Sequence, residues 1–390
     1  MHPAALLHLC KVRTLGKLTA NAETSRAMDT PFLNHQPALP RSLVSSGILR
    51  DTFTIVDVGA SGGIPNVWYS FGDRLRAFAF DPLTAEVERL NSAKPAVGTV
   101  QYVDAYIVRS SEAQDESPNA EYDIIGRSST WRSLKLTSTN RQKETYNSGA
   151  ELRYSQNRYS IDEFMTLQGV SSVDFIKTDT DGHDYAVLLG ARETLTKRGV
   201  LGVVAEVNFN SHSHPQANLL ANNDLYLRSL GFSLFDLDVR RYTRAALPGK
   251  FRHNIPAQTV RGQLGQADVL YLRDFLDADF RAKCSDFEAT NQRLLKMVCL
   301  FEIFGLNDCA IELINAYGET LKEVADLEQL KSVLTEEASG EPDYAAYIDR
   351  FENFVKAKQY ATFPDGYAVA GEGFLMMRDN DPKTAVFRRS

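Results

Sequence analysis

Residues 54–63 constrain the fold of this chain more than any other stretch. They read Thr-Ile-Val-Asp-Val-Gly-Ala-Ser-Gly-Gly. Thr54, Ile55, Val56 and Val58 make a short, β-branched, mostly apolar run, the signature of a strand buried on both faces. Glycines follow at 59, 62 and 63, where the backbone can turn sharply and leave room for a ligand. Pro65, favoured at the first position of a helix, comes next. Strand, glycine-rich turn and helix start together describe the ligand-binding crossover of a doubly wound α/β sheet.

The turn is not a dinucleotide fingerprint. Counting Gly-x-Gly-x-x-Gly from Gly59 requires glycines at 61 and 64, where the chain has Ser61 and Ile64. A pyrophosphate is therefore not the natural guest, and a dinucleotide-dependent oxidoreductase is disfavoured. Residues 77–81 read as a second apolar strand ending in Asp81. An acid in that place accepts hydrogen bonds from a ribose. The expected ligand is a nucleoside with no pyrophosphate beside the turn.

Beyond this unit, strand and helix patterns alternate. Strands are expected at 99–104, 173–177, 200–207, 232–237 and 269–272. Helices are expected at 84–91, from Ser160 with its capping box to Glu163, at 185–197 and at 216–230. That rhythm predicts a mostly parallel sheet with helices on both faces. After Asp274 only helical spacing remains, over 289–317, 321–334 and 344–355. The organisation expected is a flexible extension over 1–40, one α/β domain over 41–274, a helical appendage over 275–377 and a loose tail over 378–390. The extension reads as a disordered arm, with a targeting segment or a start at Met28 as alternatives.

Composition narrows the function classes. At 43% apolar the 390 residues can bury a real core, and a net charge of −7 argues against a nucleic-acid partner. No apolar run approaches the length of a membrane span. The four cysteines form no C-x-x-C pair, so neither a zinc site nor a disulfide framework is indicated, and a reducing, cytoplasmic setting is expected. Nothing in the sequence fixes an oligomeric state.

Carboxylates crowd the expected strand ends: Asp57, Asp81, Asp104, Asp179, Asp181, Glu206, Asp236 and Asp238. In an open parallel sheet, ligands bind at that rim. Some of these acids must only cap helices or face solvent, Asp236 and Asp238 among them.

Three of these stretches carry a family resemblance: Asp57-Val58-Gly59-Ala60-Ser61-Gly62-Gly63, Phe80-Asp81-Pro82, and residues 173–191, with Lys177-x-Asp179-x-x-Gly182 followed by a helix ending in Leu-x-Gly-Ala. Over about residues 51–240 the chain resembles the FkbM-type S-adenosylmethionine-dependent methyltransferases. It departs from them at Asp181-Gly182-His183-Asp184, which is more polar than the family's usual stretch. The resemblance implies a Rossmann-like class I methyltransferase sheet. It implies S-adenosylmethionine as cofactor and O-methylation of a small-molecule, glycan, glycolipid or polyketide-like acceptor. It places the backbone of Gly59, Ala60, Ser61, Gly62 and Gly63 against the methionine moiety. Asp57 lies near that moiety's amino-acid end, Asp179 at that end or at the reacting centre, Asp81 at the ribose, and Asp104 and Ala105 at the adenine.

For the chemistry, His183 is the candidate general base, because its proton affinity suits neutral pH. Its alternative is local hydrogen bonding at a helix start. Asp181 or Glu206 would orient it or act in its place. A site without metal is the reading adopted. Mg²⁺ held by Asp179, Asp181 and Glu206, all hard oxygen ligands, is the alternative. Arg240, Arg241, Arg244, Lys250 and Arg252 form a basic run that would hold a phosphate or carboxylate on the acceptor, or else a solvated loop. Residues 126–133, with Trp131, are expected as a lid. A non-catalytic nucleoside-binding scaffold is the rival function.

Overall fold

The structure is a computed structural model. It describes residues 33, 36–93, 97–112, 153–180, 182–210, 214–242, 260–340 and 343–356. The expected lid at 126–133, Asp181, Arg244, Lys250, Arg252 and the tail at 378–390 lie outside these.

Among the described residues the first element is helix α1 (Leu39–Ser45), followed by β1 (Phe53–Val58). A 3₁₀ segment (Asn66–Arg74) leads into β2 (Leu75–Asp81), α2 (Thr84–Ser92) and β3 (Thr99–Asp104). Short strands β4 (Tyr106–Ile107) and β5 (Arg158–Tyr159) pair with each other, and α3 (Ile161–Leu167) follows. Next come β6 (Phe175–Thr178), α4 (Asp184–Leu189), α5 (Arg192–Lys197), β7 (Gly202–Asn208) and α6 (Leu220–Ser229). A hairpin of β8 (Ser233–Tyr242) and β9 (Gln263–Leu272) completes the sheet. Beyond it lie α7 (Ala278–Lys283), α8 (Asn291–Ile303), α9 (Asn307–Ala316), α10 (Gly318–Leu321), α11 (Leu327–Ser339) and α12 (Tyr344–Lys356).

The seven-stranded sheet has the order β3-β2-β1-β6-β7-β9-β8. Its first five strands are parallel, and β9 runs antiparallel between β7 and β8. This is a doubly wound sheet whose order reverses between β1 and β6. There two neighbouring crossovers leave in opposite directions and open a crevice. The expected doubly wound α/β class is thus present.

Pleating sorts each strand onto two faces. Val56 and Val58 of β1 enter a core with Phe164, Met165, Leu188 and Leu227. Phe53 and Ile55 enter the opposite core with Trp68, Phe71, Phe175 and the C-terminal helices. Those helices are not a detached appendage. Leu294, Leu295, Val298, Phe304 and Leu313 share one apolar cluster with the sheet. Buried polar links strengthen the joint. Lys296 pairs with Asp174 at 2.9 Å, and Glu302 accepts the backbone N–H groups of Ala38 and Leu39 at the start of α1.

Several boundaries differ from the sequence pattern. The expected helix over 185–197 breaks into α4 and α5. A Cβ on Gly190 would come within 2.6 Å of the Val108 carbonyl oxygen, so the chain passes too tightly there for a continuous helix to carry a side chain. The Asp162 carboxylate then accepts the N–H groups of Glu193 and Thr194 and starts a new helix. The helix over 289–317 breaks at Gly305, whose φ is 68°. The hairpin strands are longer than their apolar cores, because pairing carries them past Asp236 and Asp238 and back through polar Gln263 and Gln266. Asp236 and Asp238 thus sit within β8 and do not close it.

Candidate functional site

Beyond Val58 the chain turns through Gly59, Gly62 and Gly63, all at positive φ (83°, 87° and 93°). At Gly59 the requirement is steric as well. A Cβ there would lie 1.8 Å from the Asp179 carbonyl oxygen, and the Asp179 N–H donates to the Val58 carbonyl at 2.9 Å. The turn after β1 and the loop after β6 are therefore stitched together at the sheet's reversal point. The amides of Gly59 and Ala60 donate to the Phe80 carbonyl, which ties the turn to β2.

Asp81 is the last residue of β2 and is buried. One of its oxygens accepts the Leu83 N–H at 2.8 Å. Burial pushes its pKa up to about 6, the Leu83 bond opposes this, and nearby Glu86 adds to it. Ala105 is buried beside it and donates its N–H to the Asp81 carbonyl. Asp104, register partner of Asp81, has its carboxylate engaged within the chain by Thr84, Ser155 and Asn157. Its side chain fastens the end of β3 to α2 and to the 155–157 segment.

On the other side of the reversal, alternation puts Asp57, Lys177, Glu206, Asp268 and Arg240 on one face of the sheet at its carboxyl end. Lys177 Nζ lies 3.3 Å from Asp57 and 3.7 Å from Asp179. Burial opposes the Lys177 charge, but Asp57 and Asp179 outweigh it and raise its pKa. Burial also raises the pKa of Asp57, with Lys177 pulling the other way. Arg240 bridges Glu206, at 2.5 Å, and Asp268. It is thus an internal ion-pair partner. The expectation of an open basic run for an acceptor anion does not hold at this residue. The pKa of Glu206 is raised by burial and by Asp179, with Arg240 opposing.

The loop that carries Asp179 is held from below. Asp184, buried at the start of α4, accepts the Thr180 N–H and an Asn218 amide N–H. The same Asn218 nitrogen donates to the Glu206 carbonyl. His183 immediately precedes α4, and its carbonyl accepts the Val187 N–H. Asp179, at the top of the loop, is partly exposed. Among the described residues no group of three His, Cys, Asp or Glu side chains is arranged to hold a metal ion. Asp181, one of the expected ligands, is outside them.

Sequence reasoning missed Lys177 as the cation at the centre of this rim, although it stands inside the quoted motif. It also missed Glu86, whose carboxylate accepts the Gly62 N–H at 2.7 Å. No local pattern marks these contacts, because Asp57 and Gly62 stand far along the chain from Lys177 and Glu86.

The fold and site define a doubly wound α/β domain with, at its reversal point, a glycine turn after the first strand and a buried acid at the neighbouring strand end. Residues 57–234 match the family described as the methyltransferase FkbM domain. No curated protein matches the chain. Among solved structures, the chain is similar to precorrin 8W decarboxylase of Methanobacterium thermoautotrophicum at 14% identity, covering 62% of this chain and 94% of that one. The TM-score of that match is 0.23, too low to bear on the fold, which rests on the sheet order. No helix among the described residues is long and apolar enough to cross a membrane.

Proposed function

We propose that this chain is an S-adenosylmethionine-dependent O-methyltransferase acting on a hydroxyl of a glycan, glycolipid or polyketide-like acceptor. The observation that carries the reading is the pairing of the Gly59–Gly63 turn with Asp81 on one rim, inside a methyltransferase FkbM domain. The donor set suits a nucleoside. One Asp81 oxygen is committed to Leu83, and a ribose diol would give the second oxygen the partners that a desolvated carboxylate needs. Gly59 has no room for a side chain, so the turn stays bare. Asp179, partly exposed beside Gly59, and Asp57 with Lys177 would face the amino-acid end of the same ligand.

S-Adenosylmethionine supplies the activated methyl group. The residues of this chain supply alignment, which can be worth on the order of 7–11 kcal/mol when the reacting atoms are held in line. A hydroxyl acceptor must also lose a proton. His183 at the start of α4 is assigned that task, worth about 10²–10⁴-fold. Asp184 and Asn218 hold its loop against β7. Glu206 is assigned a supporting electrostatic role, because Arg240 already engages its carboxylate. The free thiols of Cys284, Cys299 and Cys309 suit a reducing, cytoplasmic setting.

The test is methyl transfer from labelled S-adenosylmethionine into pools of hydroxylated acceptors. Wild type should label a hydroxyl. His183→Ala should lower turnover at least about a hundredfold and leave S-adenosylhomocysteine affinity unchanged. Unchanged turnover would remove His183 as the base. Cofactor binding with no labelled acceptor in any pool would favour a nucleoside-binding scaffold.

A further inference from the structure

The glycines of the turn and their neighbours Ala60 and Ile64 have committed their amides within the protein. Gly59 and Ala60 donate to Phe80, Gly63 donates to Ala60, and Ile64 donates to the Tyr102 hydroxyl at 3.3 Å. Gly62 donates to Glu86 Oε1 at 2.7 Å. A glycine turn that binds phosphate works the other way, with successive free N–H groups aimed at the ligand. Here a protein carboxylate takes an amide that an anion would otherwise seek.

Glu86 is built into that place. Its side chain is 1% exposed. It stands on the first turn of α2, and Arg89 one turn later grips both its oxygens, with Nε at 2.8 Å and Nη2 at 2.7 Å. The Arg89 side chain is 44% exposed, so its cation meets Glu86 from the solvent side while the Gly62 amide meets it from the turn. Asp81, close enough to feel Glu86, adds a second buried acid on the same crossover.

We infer that Glu86 is a specificity residue: its buried carboxylate fills the anion position of the glycine turn, so the site rejects adenosines phosphorylated at C5′ and accepts those neutral or cationic there. This rests on the nucleoside reading above. A sulfonium carried on C5′ satisfies the condition, and a phosphate in the same place meets a carboxylate that already holds the Gly62 amide. Like-charge juxtaposition in a desolvated site is among the stronger devices for excluding a wrong ligand. The missing glycines at 61 and 64 argue against a pyrophosphate by shape, and Glu86 argues against any 5′-phosphate by charge.

The test is calorimetric binding of S-adenosylhomocysteine, adenosine and AMP to the full chain and to two variants. Wild type should bind AMP at least about tenfold more weakly than adenosine. Glu86→Gln keeps an acceptor for Gly62 and loses the charge, so the ratio should fall at least about threefold. Arg89→Gln removes the compensating cation from an exposed position, so the ratio should rise. Equal affinity of wild type for AMP and adenosine overturns the proposal and leaves the nucleoside site standing. So does a ratio that neither variant moves. Should Glu86→Gln fail to fold, the wild-type ratio and its shift in Arg89→Gln decide the matter. Failure of both adenosine and S-adenosylhomocysteine to bind overturns the nucleoside reading and this proposal together.

Discussion

Asp81 works against the fold that contains it. Burial raises its pKa from 3.8 in the unfolded chain to about 6 in the folded one. The folded state therefore holds its proton more tightly. The stability contributed by this group is greatest at acid pH and is lost as pH climbs from about 4 to about 6. Ligand binding runs oppositely. A ribose donates to the ionised carboxylate, so S-adenosylhomocysteine affinity should fall up to about tenfold per pH unit below about 6. Asp81→Asn keeps the acceptor for the Leu83 N–H and removes the desolvated charge. It should raise the midpoint of thermal unfolding at pH 7.5, erase that pH dependence and weaken the ligand at least about tenfold. Calorimetry at several pH values and a melting curve check both signs. A lower melting temperature with unchanged affinity would show that Asp81 is structural.

At the scale of elements, the first strand, its glycine turn and Asp81 were legible because they are written in adjacent residues: a β-branched run, clustered glycines, an acid closing an apolar strand. The motif around Lys177 and Asp179 was legible in the same way. Breaks and latches were not. Gly190 and Gly305 interrupt helices for reasons that lie elsewhere, a carbonyl of Val108 in one case and a positive φ before a new helix in the other. Arg240 looked like part of an open basic run, since its partners Glu206 and Asp268 stand on other strands. The strongest such latch joins α8 to the sheet. Lys296 donates to both oxygens of Asp174 and to the Thr52 carbonyl, and Asp174 also accepts the Thr54 N–H where β1 begins. Lys296→Met would leave the buried Asp174 carboxylate unpaired and should cost about 3–5 kcal/mol. Denaturant unfolding of Lys296→Met, and of Lys296→Met with Asp174→Asn, checks it. The second change should recover most of the loss, and an additive loss would contradict the pairing.

Across the whole molecule, one sheet serves two unlike faces. Helices α3 to α6 cover one face. The other is shared by α1, the 3₁₀ segment and the C-terminal helices, around stacked Phe53, Trp68, Phe71, Phe175 and Phe304. The C-terminal helices of that layer lie outside the matched family segment and were read from the sequence as an appendage. Its helical periodicity was visible, but periodicity does not say what a face packs against. The consequence for function is rigidity. The strands carrying Asp57, Lys177 and Glu206 are clamped from the helical side below a rim whose charged groups hold one another. On the proposed function, chemistry at that rim would depend on a nucleoside seated over the first crossover. Calorimetric titration of the full chain with S-adenosylhomocysteine, set beside NAD, tests that most directly. A single site of micromolar affinity for S-adenosylhomocysteine and no measurable binding of NAD is the predicted result. No heat from S-adenosylhomocysteine, or NAD bound as tightly, would contradict it.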